Sequence, residues 1–156
     1  MSSSIDRVRA ALASARLNSE IKESDASTRT AADAAAAIGC TQAQIAKSLV
    51  FRAAESNRAV LVIASGTNRV DEKKLASLIG EKVGKADAEF VRAETGFAIG
   101  GVAPVGHVQP IVILIDADLQ NYSEIWAAAG APNAVFAVTP QQLTVITGGR
   151  VADLKQ

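Results

Sequence analysis

The chain has 156 residues, 49% of them hydrophobic and 4% aromatic, and sixteen basic residues balance sixteen acidic ones. That length suits one domain, spanning 1–156, with a core of its own, and the composition excludes a disordered chain. Zero net charge argues against a grip on long nucleic acid through bulk phosphate neutralisation, so any nucleic-acid contact is local or helped by a partner.

Cysteine and histidine counts narrow the chemistry further. The single cysteine, Cys40, excludes an internal disulfide framework, and together with the single histidine it cannot make a Cys/His zinc site. No carboxylates cluster at metal-ligand spacing, so no metal and no cofactor are expected. A Ser-His-Asp triad is open only through His107, and no Gly-x-Ser-x-Gly elbow is present. No apolar run approaches bilayer-crossing length, and the segment from Met1 to Arg7 lacks the apolar stretch of a signal peptide. The expectation is a cytoplasmic protein without membrane contact.

In chain order, Ile5, Val8, Leu12 and Leu17 recur at near-helical spacing and predict an amphipathic helix over 4–17. Glu20 to Glu23 reads as a short strand. Thr30 as N-cap, Asp33 three residues on and Gly39 as stop predict a short helix between them. Thr41 caps a further turn through Ile45. Lys47 to Ala53 is β-rich at Leu49-Val50-Phe51, and Ala59 to Ala64 is a nearly continuous apolar run, the pattern of a buried strand. Ser56-Asn57 makes the hairpin between them, and Ser65-Gly66-Thr67-Asn68 makes a second turn. Helices are predicted over 71–79, with Leu75, Leu78 and Ile79 inward and Gly80 at the end, and over 87–94. Pro110 to Ile115 and Ala134 to Val138 are further strands. Thr139-Pro140 starts a last helix, ended by Gly148-Gly149. Trp126, with Tyr122 and Ile125, packs in the core or forms a contact surface, the core being favoured by the scarcity of other aromatics. Short strands interleaved irregularly with short helices predict an α/β (α+β) domain with a mixed, barrel-like sheet surrounded by short helices.

Two segments carry the chemistry. Residues 95–107, Thr-Gly-Phe-Ala-Ile-Gly-Gly-Val-Ala-Pro-Val-Gly-His, hold four glycines and a proline in thirteen mostly apolar residues. Such a loop presents backbone N–H groups to a ligand, or is a tight connection held by turn chemistry. Lys47 stands between Ile45-Ala46 and Leu49-Val50. It reads as a cation held in a cleft for a carbonyl or phosphate oxygen, or as a strand-edge lysine that snorkels to water.

Lys47-Ser48-Leu49-Val50-Phe51, the loop 95–107 and the closing Thr-Gly-Gly-Arg-Val-Ala-Asp-Leu together resemble the YbaK/ProX family. These proteins are free-standing relatives of the editing domain inserted in bacterial prolyl-tRNA synthetases. The resemblance runs from Ala26-Ser27-Thr28-Arg29-Thr30-Ala31 to Asp153. It rests on a lysine before a hydrophobic strand and on a Gly-x-x-x-Pro loop about fifty residues later. It implies a trans-editing deacylase that hydrolyses the ester of tRNA(Pro) mischarged with a small amino acid, alanine or 2-aminobutyrate being favoured over cysteine. Lys47 would orient the substrate, and amides of the loop 100–104, Gly100 and Gly101 among the candidates, would stabilise the oxyanion. Val102, Ala103 and Pro104 of the same loop would line the substrate. Assistance would come from the neighbouring ribose hydroxyl of the tRNA.

His107 fits the ProX-like branch, either bonding the substrate or bracing the loop. Thr147 and Asp153 would close the site, with Asp153 a charge partner for Lys47 or a solvated carboxylate. Thr28, Thr30 and Ser48 are further pocket candidates, and Phe97, Ile99 and Val102 suit a small aliphatic side chain. Expected partners are the mischarged acceptor end and, for delivery, prolyl-tRNA synthetase or an elongation factor. The rivals are a binding module for aminoacyl ends or small amino acids, a Cys-tRNA(Pro) deacylase, and a small-molecule enzyme. No Gly-x-x-x-x-Gly-Lys-Ser/Thr or strand-linked Gly-x-Gly-x-x-Gly supports the last of these.

Overall fold

A computed structural model of the chain describes residues 4–24 and 30–156. Helix boundaries follow the capping chemistry. The Thr30 hydroxyl accepts the Asp33 amide at 3.0 Å and Gly39 closes the other end in the left-handed region, giving α2 (Ala31–Ile38). Asp71 caps α3 (Glu72–Ile79), Asp87 caps α4 (Ala88–Thr95), and Thr139 caps α5 (Pro140–Thr147), with proline in the first turn. The N-terminal helix α1 runs Ser4–Ser14 and buries Val8 and Leu12, stopping before Leu17.

The strands are β1 (Ile21–Glu23), β2 (Ile45–Ala53), β3 (Ala59–Ser65), β4 (Val83–Lys85), β5 (Val112–Asp116), β6 (Ile125–Ala128), β7 (Ala134–Val138) and β8 (Arg150–Ala152). They form one mixed sheet in the order β1-β7-β6-β2-β3-β5-β8, with β4 added to β2. The mixed sheet with surrounding short helices expected from the sequence is the architecture found. Every residue of β3 is buried, as a central strand covered on both faces requires.

One face of the sheet packs Leu61, Ile63 and Ile115 against Phe97, Phe136 and the α1 residues Val8 and Leu12. The other packs Val60, Val62 and Leu114 against Leu75 of α3. A smaller cluster joins Ala34 and Ala35 of α2 to Ile45, Val135 and Trp126. Trp126 is therefore a core residue, and the Lys22 ammonium stands 4.9 Å from its ring centroid.

Three short strands carry no period of their own in the sequence: β4 contains Gly84, β6 is followed by small residues, and β8 follows a glycine pair. Each forms because a longer partner offers it an edge. β2 starts at Ile45, two residues earlier than expected, so Lys47 lies inside the strand. β5 starts at Val112, past Pro110, which has no amide hydrogen to give to a ladder.

Candidate active site

The strand that carries Lys47 is incompletely paired. On one side β3 runs antiparallel along it from Ala46 to Arg52. On the other side β6 pairs only Ile45 and Ala46, and β4 pairs only Phe51 to Ala53. Among the described residues, 47–50 therefore have an open edge. The Ala53 amide bonds Arg58 on the β3 side, and the Ala54 amide bonds Lys82 on the β4 side. Because successive residues of a strand turn their backbone groups to opposite edges, Ser48 and Val50 direct theirs into the gap.

A cleft occupies this gap in two compartments. The larger, about 580 Å³, is lined by Lys47 to Phe51, with Arg69, Glu72, Lys85 and Gln156 among its polar walls. The smaller, about 280 Å³, lies beneath α2 and is walled mainly by apolar groups, including Ala31, Ala34, Ile45, Trp126 and Val135. Lys47, Ser48, Leu49, Ile99, Gly100 and Val102 border both. Ile99 is 52% exposed and stands at the mouth.

Lys47 is half-buried, and its ammonium donates to the Gly66 carbonyl at 3.5 Å. Burial lowers its proton affinity, the carboxylate of Asp116 raises it, and the guanidinium of Arg69 lowers it again. The Ser48 hydroxyl is buried and has no hydrogen-bond partner among the described residues. A buried hydroxyl without a partner is costly to the folded state.

The glycine loop is organised around Phe97, which is 1% exposed. The Arg7 guanidinium lies 4.8 Å from its ring centroid, and His107 meets the ring edge-on at 6.0 Å. Arg7 also donates to the carbonyls of Gly96 and Gly106. Phe97 thus braces the loop from inside rather than lining the cleft. His107 Nε2 lies 2.7 Å from the Ala103 carbonyl, and burial holds its pKa below the usual histidine value. Among the sequence candidates the structure brings Lys47, Ser48, Gly100, Val102 and Ile99 together, with Thr30 on the rim of the smaller compartment.

Other candidates lie elsewhere. Pro104, His107 and Thr147 line a different hollow, with Val105, Ile111 and Ile146. Ala103 is fully buried. The Thr147 hydroxyl is spent on the Leu143 carbonyl and the Gly149 amide at the end of α5. Asp153 pairs with Lys74 at 2.9 Å on the surface rather than with Lys47. The Gly101 amide bonds the Ala98 carbonyl, and a Cβ there would approach the Ala131 backbone at 3.0 Å, so this glycine serves packing. Among the described residues, the amides of Gly100 and Val102 have no backbone acceptor. Thr28 lies outside the described residues.

Sequence reasoning missed Asp116, Gly66 and Arg69. The one available signal was a carboxylate closing the apolar run Val112-Ile113-Leu114-Ile115. No group of three or more His, Cys, Asp or Glu among the described residues is arranged to hold a metal, and no described helix is long and apolar enough to cross a membrane.

A half-open strand edge, a lysine and a glycine loop thus meet in one cleft. The chain belongs to the aminoacyl-tRNA editing domain family, whose model matches residues 25–146. It is 31% identical over 132 residues to the uncharacterized YwhH of Bacillus subtilis, covering 85% of this chain and 83% of that one. It is 29% identical over 126 residues to EbsC of Enterococcus faecalis, a candidate Cys-tRNA(Pro)/Cys-tRNA(Cys) deacylase, covering 80% and 76%. Its fold matches the crystal structure of a candidate trans-editing enzyme for prolyl-tRNA synthetase at TM-score 0.93 and 47% identity, covering 100% of this chain and 99% of that one.

Proposed function

We propose that this aminoacyl-tRNA deacylase acts in trans on tRNA(Pro) carrying a small wrong amino acid, with the ester seated at the junction of the two compartments. The observation that carries this reading is the shared border of Lys47, Ser48, Gly100 and Val102. The smaller compartment falls just below the size range of pockets for drug-sized ligands, about 300–1,000 Å³, so it takes an aminoacyl group without its nucleoside. The larger one, edged by Arg69 and Lys85, takes the terminal adenosine and its phosphate.

In the reaction, water adds to the ester carbonyl carbon and the carbonyl oxygen becomes an oxyanion. The amides of Gly100 and Val102, fixed before substrate arrives, face that developing charge, and Lys47 orients the carbonyl end. Collapse breaks the bond to the ribose oxygen, which takes up a proton, and free amino acid and uncharged tRNA leave. The adjacent ribose hydroxyl assists the water, so the protein need not supply a strong base.

The apolar walls favour alanine or 2-aminobutyrate. The Ser48 hydroxyl, which has no partner among the described residues, together with the naming of the E. faecalis relative as a candidate Cys-tRNA(Pro)/Cys-tRNA(Cys) deacylase, favours cysteine as a second reading. Neutral net charge supports contact limited to the acceptor end and delivery by prolyl-tRNA synthetase or an elongation factor.

The test is deacylation of Ala-, 2-aminobutyryl-, Cys- and Pro-tRNA(Pro) by the wild type and by Lys47→Ala. Hydrolysis of a small mischarged species, with Pro-tRNA(Pro) spared, and a loss of about 100-fold in the variant are expected. No hydrolysis of any of the four would overturn the proposal, and full activity in Lys47→Ala would remove that residue from it.

A further inference from the structure

Asp116 ends an apolar strand and is 2% exposed. A carboxylate so far from water is tolerated only when its lone pairs are used and a counter-charge stands near. Its Oδ2 accepts the Ser65 amide at 3.0 Å and the Asn68 side-chain amide at 2.8 Å, and its Oδ1 accepts the Asp118 amide at 3.0 Å. The first two bonds both fall on the turn that follows β3.

That turn carries Gly66, whose carbonyl receives Lys47 Nζ at 3.5 Å and Gln42 Nε2 at 3.1 Å. It is also packed without slack, because a Cβ on Gly66 would lie 2.2 Å from the Gln42 carbonyl oxygen and 2.8 Å from Ala31 Cβ.

The charged surroundings of Lys47 come from several elements. Asp116 reaches it from β5 and Arg69 from beyond β3, while Glu72 of α3 and Lys85 of β4 stand on the cleft wall. On the far side of Asp116, Asp118 is paired with Lys155 at 2.9 Å and accepts a second bond from Asn68 at 2.9 Å.

We propose that Asp116 is the positioning residue of the cleft: through the Ser65–Asn68 turn it fixes the Gly66 carbonyl that anchors the Lys47 ammonium, and it supplies the buried negative charge that this ammonium faces. The proposal rests on Lys47 being the cation that orients the ester. Asp116 itself touches no substrate. Asparagine at this position keeps the shape, loses the charge, and leaves one oxygen for the three amides that the carboxylate accepts.

The experiment compares wild type, Asp116→Asn and Asn68→Ala as full chains. In the free proteins, labelled lysine side chains are titrated by NMR. Burial and Arg69 depress the Lys47 proton affinity and Asp116 opposes them, so removing the Asp116 charge moves the Lys47 midpoint to lower pH. In parallel, kcat/KM is followed against pH with whichever mischarged tRNA the wild type hydrolyses best, corrected for spontaneous ester hydrolysis.

The alkaline fall in rate is expected to move with the midpoint in Asp116→Asn. Asn68→Ala keeps the midpoint and loses about 10- to 100-fold in rate through misplacement alone. A Lys47 midpoint unchanged in Asp116→Asn overturns the electrostatic half of the proposal, and a fully active Asn68→Ala overturns the positioning half. A midpoint that moves while the pH–rate profile stays put supports the hold of Asp116 on Lys47 and sinks instead the catalytic reading of the lysine.

Discussion

Ser48→Ala is expected to make the protein more stable and less active. The hydroxyl is buried on β2 and has no partner among the described residues, so the folded state carries the desolvation cost of a polar group with nothing in return. That cost is about 1–3 kcal/mol. Ser48 borders the cleft and relaxation there recovers part of the cost, so the gain on removing the oxygen is set at about 1 kcal/mol. For a chain of this length that corresponds to a rise in Tm of about 2–4 °C.

The opposite sign is expected in catalysis. A hydrogen bond made only to bound substrate is worth about 1–1.5 kcal/mol, or roughly 10-fold in kcat/KM. Calorimetry on the free proteins and single-turnover deacylation of Ala-, 2-aminobutyryl- and Cys-tRNA(Pro) read the two effects separately. A fall in Tm would mean that the hydroxyl is satisfied in the free protein, and the reasoning would fail. A higher Tm with unchanged rates on all three tRNAs would show that it meets nothing on the substrate.

Gly66→Ala is expected to lower Tm and abolish most activity, because its Cβ would lie 2.2 Å from the Gln42 carbonyl oxygen and displace the acceptor of Lys47; denaturant melts and deacylation check both. Asp153→Asn is expected to leave deacylation unchanged, since its partner is the surface residue Lys74; loss of activity would return Asp153 to the site. Burial depresses the His107 pKa below 6.5, so the unfolded chain binds its proton more readily than the native state. Stability contributed by the neutral ring is present above about pH 6.5 and lost as pH falls through the lower native value. The pH dependence of Tm should therefore be flatter between pH 7 and 5 in His107→Gln than in the wild type.

Helix ends were legible in the sequence because caps are local: Thr30 with Gly39, Asp71 with Gly80, and Thr139 with Gly148 each declare a boundary through the residues beside it. The apolar strands β3 and β7 were legible for the same reason of short range. The glycine loop and Lys47 stood out by composition, yet their relation did not, because the gap between β6 and β4 exists only once three distant segments share one strand. Phe97 read as pocket lining because its apolar side chain, with Ile99 and Val102, suits a small aliphatic group, whereas Arg7, ninety residues away in sequence, claims its face. Asp153 illustrates the converse. Its nearness to the motif in sequence suggested a role for a side chain that in space belongs to Lys74.

The hold of Arg7 on the glycine loop has a practical consequence. Arg7 binds two carbonyls of the loop and covers Phe97, yet α1 precedes the segment 25–146 that the family model matches. The bracing of the glycine loop thus comes from outside the segment that the family model matches. Any change made in or against α1 therefore acts directly on the loop, and becomes an experimental variable whenever rates from different preparations are compared.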